Sequence, residues 1–126
     1  MVDFADLTRV VDGAWQVPDG WQQGRGCWGG LIVGMAVGEA MRLEADPDLV
    51  VRQVSVHMLG PVPAGQVAVA CSRIRGGSAT AAWRVDVPSP EEPDQLLASA
   101  TVTLGRARAA DVADGRAADL SRDRKS

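Results

Sequence analysis

The chain is 126 residues long, with 46% hydrophobic and 23% charged residues; this is one soluble globular domain's worth of sequence and excludes disordered, fibrous and two-core architectures. A formal net charge of -3 leaves no electrostatic footprint for nucleic acid or an anionic membrane. Aromatic residues are only 4%, so Ala, Val and Gly must build most of the core. A domain that buries such small side chains is expected to hide further surface in an oligomer.

Residues 4–17 read as a strand pair, Leu7, Val10 and Val11 against Trp15 and Val17, with an Asp12-Gly13 turn between them and Pro18 as the stop. A Gly- and Gln-rich stretch, Asp19 to Gly26, is expected to be a loop. It leads into Gly29-Gly30-Leu31 and a run to Met41 that carries the strongest helical signal, apolar nearly all round until Glu39 and Arg42. Such a helix is expected to be buried on most faces, and Pro47 lies in the segment that ends it. Cys27 and Cys71 lack metal-ligand spacing and there is one His, so no zinc site is expected. Asp3 and Asp6 open the chain where a signal peptide would be basic, and the Gly26 to Met41 stretch is too short for a bilayer span, so a cytoplasmic location is the expectation.

From Gln53 the periodicity switches to two. Val54, Val56 and Met58 alternate with Gln53, Ser55, His57 and Leu59, and Gly60 to Gly65 makes a turn. A second strand runs from Val67 through Val69 and Cys71 to about Arg75, and Gly76-Gly77 signals a two-residue hairpin. Ala79 to Val87 and Leu96 to Leu104 alternate as two more strands around a Pro- and Glu-rich loop. Residues 106–126 carry six Lys/Arg against four Asp/Glu with no apolar period, and read as a polar, disordered tail. The expected domain is therefore residues 1–105, an α+β layer in which one long helix is wrapped by antiparallel strands. One helix cannot cover such a sheet, and dimerisation is the simplest way to protect its edge.

This element order, with four local motifs, resembles the single hotdog fold of the thioesterase superfamily, and most closely the N-terminal repeat of type II (TesB-like) acyl-CoA thioesterases. The motifs are Cys27-Trp28-Gly29-Gly30-Leu31 at the helix start, Ser55 to Gly65, Arg73-Ile74-Arg75-Gly76-Gly77-Ser78, and Leu97 to Thr103. The resemblance implies binding of an acyl thioester carried on CoA or an acyl carrier protein, with no other cofactor, and thioester hydrolysis where the chain is active. The first amides of a helix have no intrahelical partner and lie at the positive end of its dipole, and glycine lets a carbonyl come close to them. Gly29, Gly30 and the backbone of Leu31 are therefore the candidate oxyanion site, although the Gly-Gly pair also serves tight helix entry.

The water-activating groups of the family are missing from their usual places. Trp28 and Val37 stand where many single-hotdog enzymes keep a His and an acid, and Glu39 is turned roughly 200° around the helix from Val37. Val51 and Thr103 fall at the Thr and Gln positions of the type II catalytic repeat, with no acid at its Asp. The remaining catalytic candidates are Gln22, Gln23 and His57, set against readings as loop or solvated strand residues. Trp28, Gln53 and Thr103 are candidates for lining the substrate pocket, and Arg73 with Arg75 for a fork on CoA phosphates beside the Gly-Gly turn, set against Trp28 as a core or interface anchor, Thr103 as an ordinary strand residue and the arginines as solvated strand-end charges. Three readings stay open: a homodimeric or higher homo-oligomeric thioesterase, a non-catalytic hotdog subunit paired with a catalytic partner chain, and a hotdog hydratase or dehydratase.

Overall fold

The computed structural model describes residues 4–23, 26, 27 and 29–106. The element order is α1 (Phe4–Leu7), β1 (Val10–Val11), β2 (Ala14–Val17), β3 (Gln22–Gln23), β4 (Gly26–Cys27), α2 (Gly29–Leu43), β5 (Leu49–Met58), β6 (Gly65–Ala68), β7 (Ala70–Gly76), β8 (Thr80–Pro88) and β9 (Leu96–Arg106). The expected α+β layer is present: α2 lies against a four-stranded antiparallel sheet in the order β5-β9-β8-β7. The strand expected to reach back to Leu7 is instead a single helical turn, closed by the Thr8 hydroxyl donating to the Phe4 carbonyl at 3.2 Å. The Asp12-Gly13 turn forms as read, with both residues at positive φ, 52° and 74°. Asp19 to Gly26 is not a plain loop, because Gln22 pairs with Cys27 and Gln23 with Gly26 as a short hairpin.

The turn at Gly60 to Gly65 does not fold β5 onto the next strand. Leu59 and Gly60 both donate to the Leu97 carbonyl, Pro61 and Pro63 have no N–H to offer, and the chain crosses to pair β6 with β2. The single strand expected from Val67 to Arg75 is split at Val69, whose amide donates to Gly13 at 2.9 Å. Before that point it belongs with β2, and after it with β8. The β7–β8 connection is one residue longer than the Gly-Gly signal suggests, running through residues 77–79 and closed by Gly77 donating to the Thr80 carbonyl. β5 remains an edge strand ten residues long. Arg106, expected in the tail, ends β9, and its guanidinium holds Asp46, Asp48 and the Ser78 carbonyl; residues 107–126 lie outside the described residues.

Leu31, Ile32, Met35, Ala36, Glu39 and Ala40 form the buried stripe of α2 and face Ala81, Val85, Val87, Ala98, Ala100, Val102 and Leu104 of the sheet. Trp15 is fully buried and its indole N–H donates to the Leu7 carbonyl at 2.8 Å, so the one large aromatic in the core also anchors α1. Burial of α2 on most faces is not what a single chain achieves. Val33 and Met41 are 38% and 50% exposed, one on either side of half-buried Val37. No helix among the described residues is long and apolar enough to cross a membrane.

At Gly34 the ring of Phe4 lies directly on the helix, and a Cβ there would stand 2.5 Å from the ring. Gly34→Ala is expected to destabilise the protein by about 1–2 kcal/mol through overpacking. In a Phe4→Ala background the cost should fall by about 1 kcal/mol or more, because only the Thr8 methyl at 3.2 Å then crowds the added Cβ while helix propensity favours alanine. A urea-denaturation double-mutant cycle checks this, and a cost of equal size in both backgrounds would refute the contact.

Candidate active site

The start of α2 is placed by the hairpin before it. Gly26 is buried, and a Cβ on it would meet the Pro61 Cα at 2.7 Å and the Val62 nitrogen at 2.9 Å. Only glycine lets β4 press against the Pro61–Val62 backbone, and three residues later the chain enters the helix. Gly29 and Gly30 are both partly exposed, and space for a Cβ at Gly29 is open to at least 4 Å. The first-turn amides, which have no intrahelical partner, lie beside these partly exposed glycines. Leu31 contributes only its backbone here, because its side chain is fully buried in the core.

The structure does not gather the other candidates around this point. The Gln22 amide is taken up locally, with Oε1 accepting from Gly20 at 2.9 Å and Nε2 donating to the Pro18 carbonyl at 3.0 Å. The Gln23 side chain and Trp28 lie outside the described residues. Gln53, Thr103, Ala82 and Arg75 form one cross-strand row. This row alternates with the buried residues of β9, so it lies on the sheet face turned away from α2. His57 sits on that outer face too, in a row with Ser99 and Asp86, whose carboxylate accepts the Ser99 hydroxyl at 2.6 Å. Arg73 and Arg75 do not make a fork. An irregularity between them puts Arg73 opposite Trp83 and Arg75 opposite Ala82, and the Arg73 guanidinium reaches Glu44 at 3.3 Å.

Two buried acids proved more engaged than the sequence suggested. Glu39 is 5% exposed, takes both Nε and Nη2 of Arg42 at 2.8 and 3.0 Å, and also accepts the Cys71 thiol at 3.7 Å. Glu44, read only as part of the helix stop, accepts the Trp83 indole N–H at 3.0 Å. That bond, with the Asp46 amide and Arg73, holds its carboxyl below the usual range. Among the described residues, no cluster of His, Cys, Asp or Glu is arranged to hold a metal ion.

Residues 17–105 match the family model described as the acyl-CoA thioesterase N-terminal domain. The chain belongs to that family. Among curated proteins none matches it in sequence. Solved structures share the hotdog fold at low identity. A Streptococcus mutans protein bound to acetyl-CoA is 19% identical with a TM-score of 0.65, covering 75% of this chain and 77% of that one. A Streptococcus pneumoniae hypothetical thioesterase with coenzyme A gives 16% and 0.64, covering 75% of each chain. The E. coli PaaI protein from the phenylacetic acid degradation operon gives 15% and 0.62, covering 75% and 70%. The single hotdog fold of this acyl-CoA thioesterase domain is thus the one expected.

Burial first, and then the Glu39 carboxylate, push the Cys71 thiol up to about 11. A shift upward by about two units from 9.0 leaves roughly a hundredfold less thiolate near neutrality. Iodoacetamide labelling of Cys71, followed by peptide mass spectrometry at about pH 8, is expected to be at least tenfold slower in the folded acyl-CoA thioesterase domain than in concentrated guanidinium. It should speed up only as pH rises past the ordinary thiol range. Equal rates folded and unfolded would remove the buried Glu39–Cys71 contact from the account.

Proposed function

We propose that the chain binds an acyl thioester on CoA or an acyl carrier protein as a homodimer, with the thioester carbonyl held by the first amides of α2. The open, glycine-lined start of α2 carries this reading. An amide pair at a helix N-terminus stabilises a developing oxyanion, at about 3–4 kcal/mol per donor where hydrolysis follows. Membership of the acyl-CoA thioesterase N-terminal domain family supports the substrate class. So do the two hotdog neighbours whose structures hold acetyl-CoA and coenzyme A.

Hydrolysis also needs a group to activate water. Val37 stands at the acid position, Glu39 is held by Arg42 and Cys71, Gln22 is bound in its own turn, and His57 faces away from the helix. These observations favour the reading in which the homodimer holds the ligand without hydrolysing it, and hydrolysis requires a separate catalytic hotdog chain to supply the base. Calorimetry with acyl-CoAs of several chain lengths is expected to show binding, lost by about tenfold or more in Gly30→Val, while thiol release by the lone chain stays near the uncatalysed rate. No binding by any acyl-CoA would sink the proposal, and rapid turnover would replace it with an autonomous thioesterase.

The dimer rests on two surfaces that one chain leaves in water: the ten-residue edge of β5, and the Val33, Val37 and Met41 stripe of α2. Sedimentation at micromolar concentration is expected to give a dimer for the natural sequence and a folded monomer for Met41→Lys, a change at an exposed position of the single chain. A natural-sequence monomer would refute the arrangement.

A further inference from the structure

At the end of the sheet where β5 and β8 finish, Pro61, Pro63, Ser89, Pro90, Glu91 and Leu97 line a groove of about 370 Å³. Beside it Leu59 is 61% and Met58 46% exposed, and the Leu97 side chain packs against Gly60. Segments 59–65 and 88–97, which build the walls, contain five of the seven prolines, the acids Glu91, Glu92 and Asp94, and no lysine, arginine or histidine. The acidic loop is held in shape by its own bonds. Ser89 donates its amide to the Gln95 carbonyl at 2.8 Å, Gln95 donates to Glu92 at 2.8 Å, and the Ser89 hydroxyl accepts the Glu91 and Glu92 amides at 3.3 Å. Residues 90–95 are nevertheless all exposed. The result is an apolar trough with Glu91 in its lining and Glu92 and Asp94 exposed in the same hydrogen-bonded loop, a surface that needs little ordering on binding.

We propose that this groove docks a short basic segment of another protein. An aliphatic or aromatic side chain enters between the proline rings and Leu97, and flanking arginines or lysines lie along Glu91, Glu92 and Asp94. Charge complementarity selects that occupant: among the described residues of the two wall segments the only charges are carboxylates, Glu91 in the lining and Glu92 and Asp94 in the same exposed loop, and a purely apolar ligand would leave them unused. The groove lies on the other side of Pro61 from Gly26, next to the start of α2, and its walls are residues that the thioester reading does not use.

The test uses the full chain, isotope-labelled, titrated with a probe peptide of about seven residues in which one Leu is flanked by arginines, and with its counterpart carrying Asp for Arg. The arginine peptide is expected to shift the amides of Leu59, Gly60, Ser89 and Leu97 and to bind at least tenfold tighter than the acidic one. Glu91→Lys with Glu92→Lys should weaken it about tenfold or more. Glu91→Gln with Asp94→Asn, a milder pair, should weaken it several-fold without altering shifts elsewhere. Equal binding of both peptides, or shifts scattered over the surface and unchanged in both variants, would overturn the proposal. So would movement of the same amides by acyl-CoA, which would make the groove part of the thioester site, or by raising protein concentration alone, which would make it a contact between copies. Loss of acyl-CoA binding with peptide binding intact would count against the thioester reading alone.

Discussion

The fold depends on how closely α2 approaches the sheet. Ala36 and Ala40 on the helix meet a face built from Ala81, Ala98 and Ala100 with valines between them, and all are buried. Small side chains on both surfaces bring the layers together, so dispersion contacts replace the bulk that larger residues would supply. The same choice makes the core thin. Trp15 closes one end of it and ties down α1, and the Phe4 ring on Gly34 covers a second side of the helix. On the third side Val33 and Met41 are exposed among the described residues and Val37 is half-buried. The proposed dimer therefore rests on core composition as much as on an open strand edge.

What the residues disclosed depended on how local the determining physics was. α2 was legible because its apolar run, flanking glycines and Pro47 all act within a few residues, and the Asp12-Gly13 turn was legible because its dihedrals admit few alternatives. Strand partnership was not. The alternation in β5 identifies a strand and its inner face, but whether it pairs with β6 or β9 is decided by Leu59 and Gly60 donating to Leu97, nearly forty residues away. The split at Val69 was hidden for the same reason, since both halves keep the period of two while their hydrogen bonds go to different sheets. The α1 turn was missed because its apolar residues are too few to show a helical period.

The candidate site shows the same division. The Gly29-Gly30 start of α2 follows from two adjacent residues, and Gly26, which holds that start against Pro61, carried the signal of a third glycine just upstream. Side-chain candidates on strands could be assigned a face only relative to their neighbours. Once β9 fixes which face is buried, Gln53, His57, Thr103 and Arg75 all fall on the other one. Glu39 and Glu44 illustrate the converse case. Carboxylates this buried need partners, and here each is held by an arginine together with a weaker or neutral donor, Cys71 in one case and Trp83 in the other. Their polarity is spent on joining the C-terminal half of α2 and the residue after it to β7 and β8, about 15 Å or more along the helix from its start.

The charges are sorted along the length of the sheet. Arg52, Arg75 and Arg106 lie toward the end where β5 begins, whereas Glu91, Glu92 and Asp94 lie at the end where it stops, beside Pro61 and the hairpin that sets the start of α2. Asp46 and Asp48, which hold Arg106, offset part of the first group, so the contrast between the two ends is one of degree. Under the proposed two-fold pairing of β5 the two ends would lie side by side, and the same symmetry that covers the open edge would even out the charge along it.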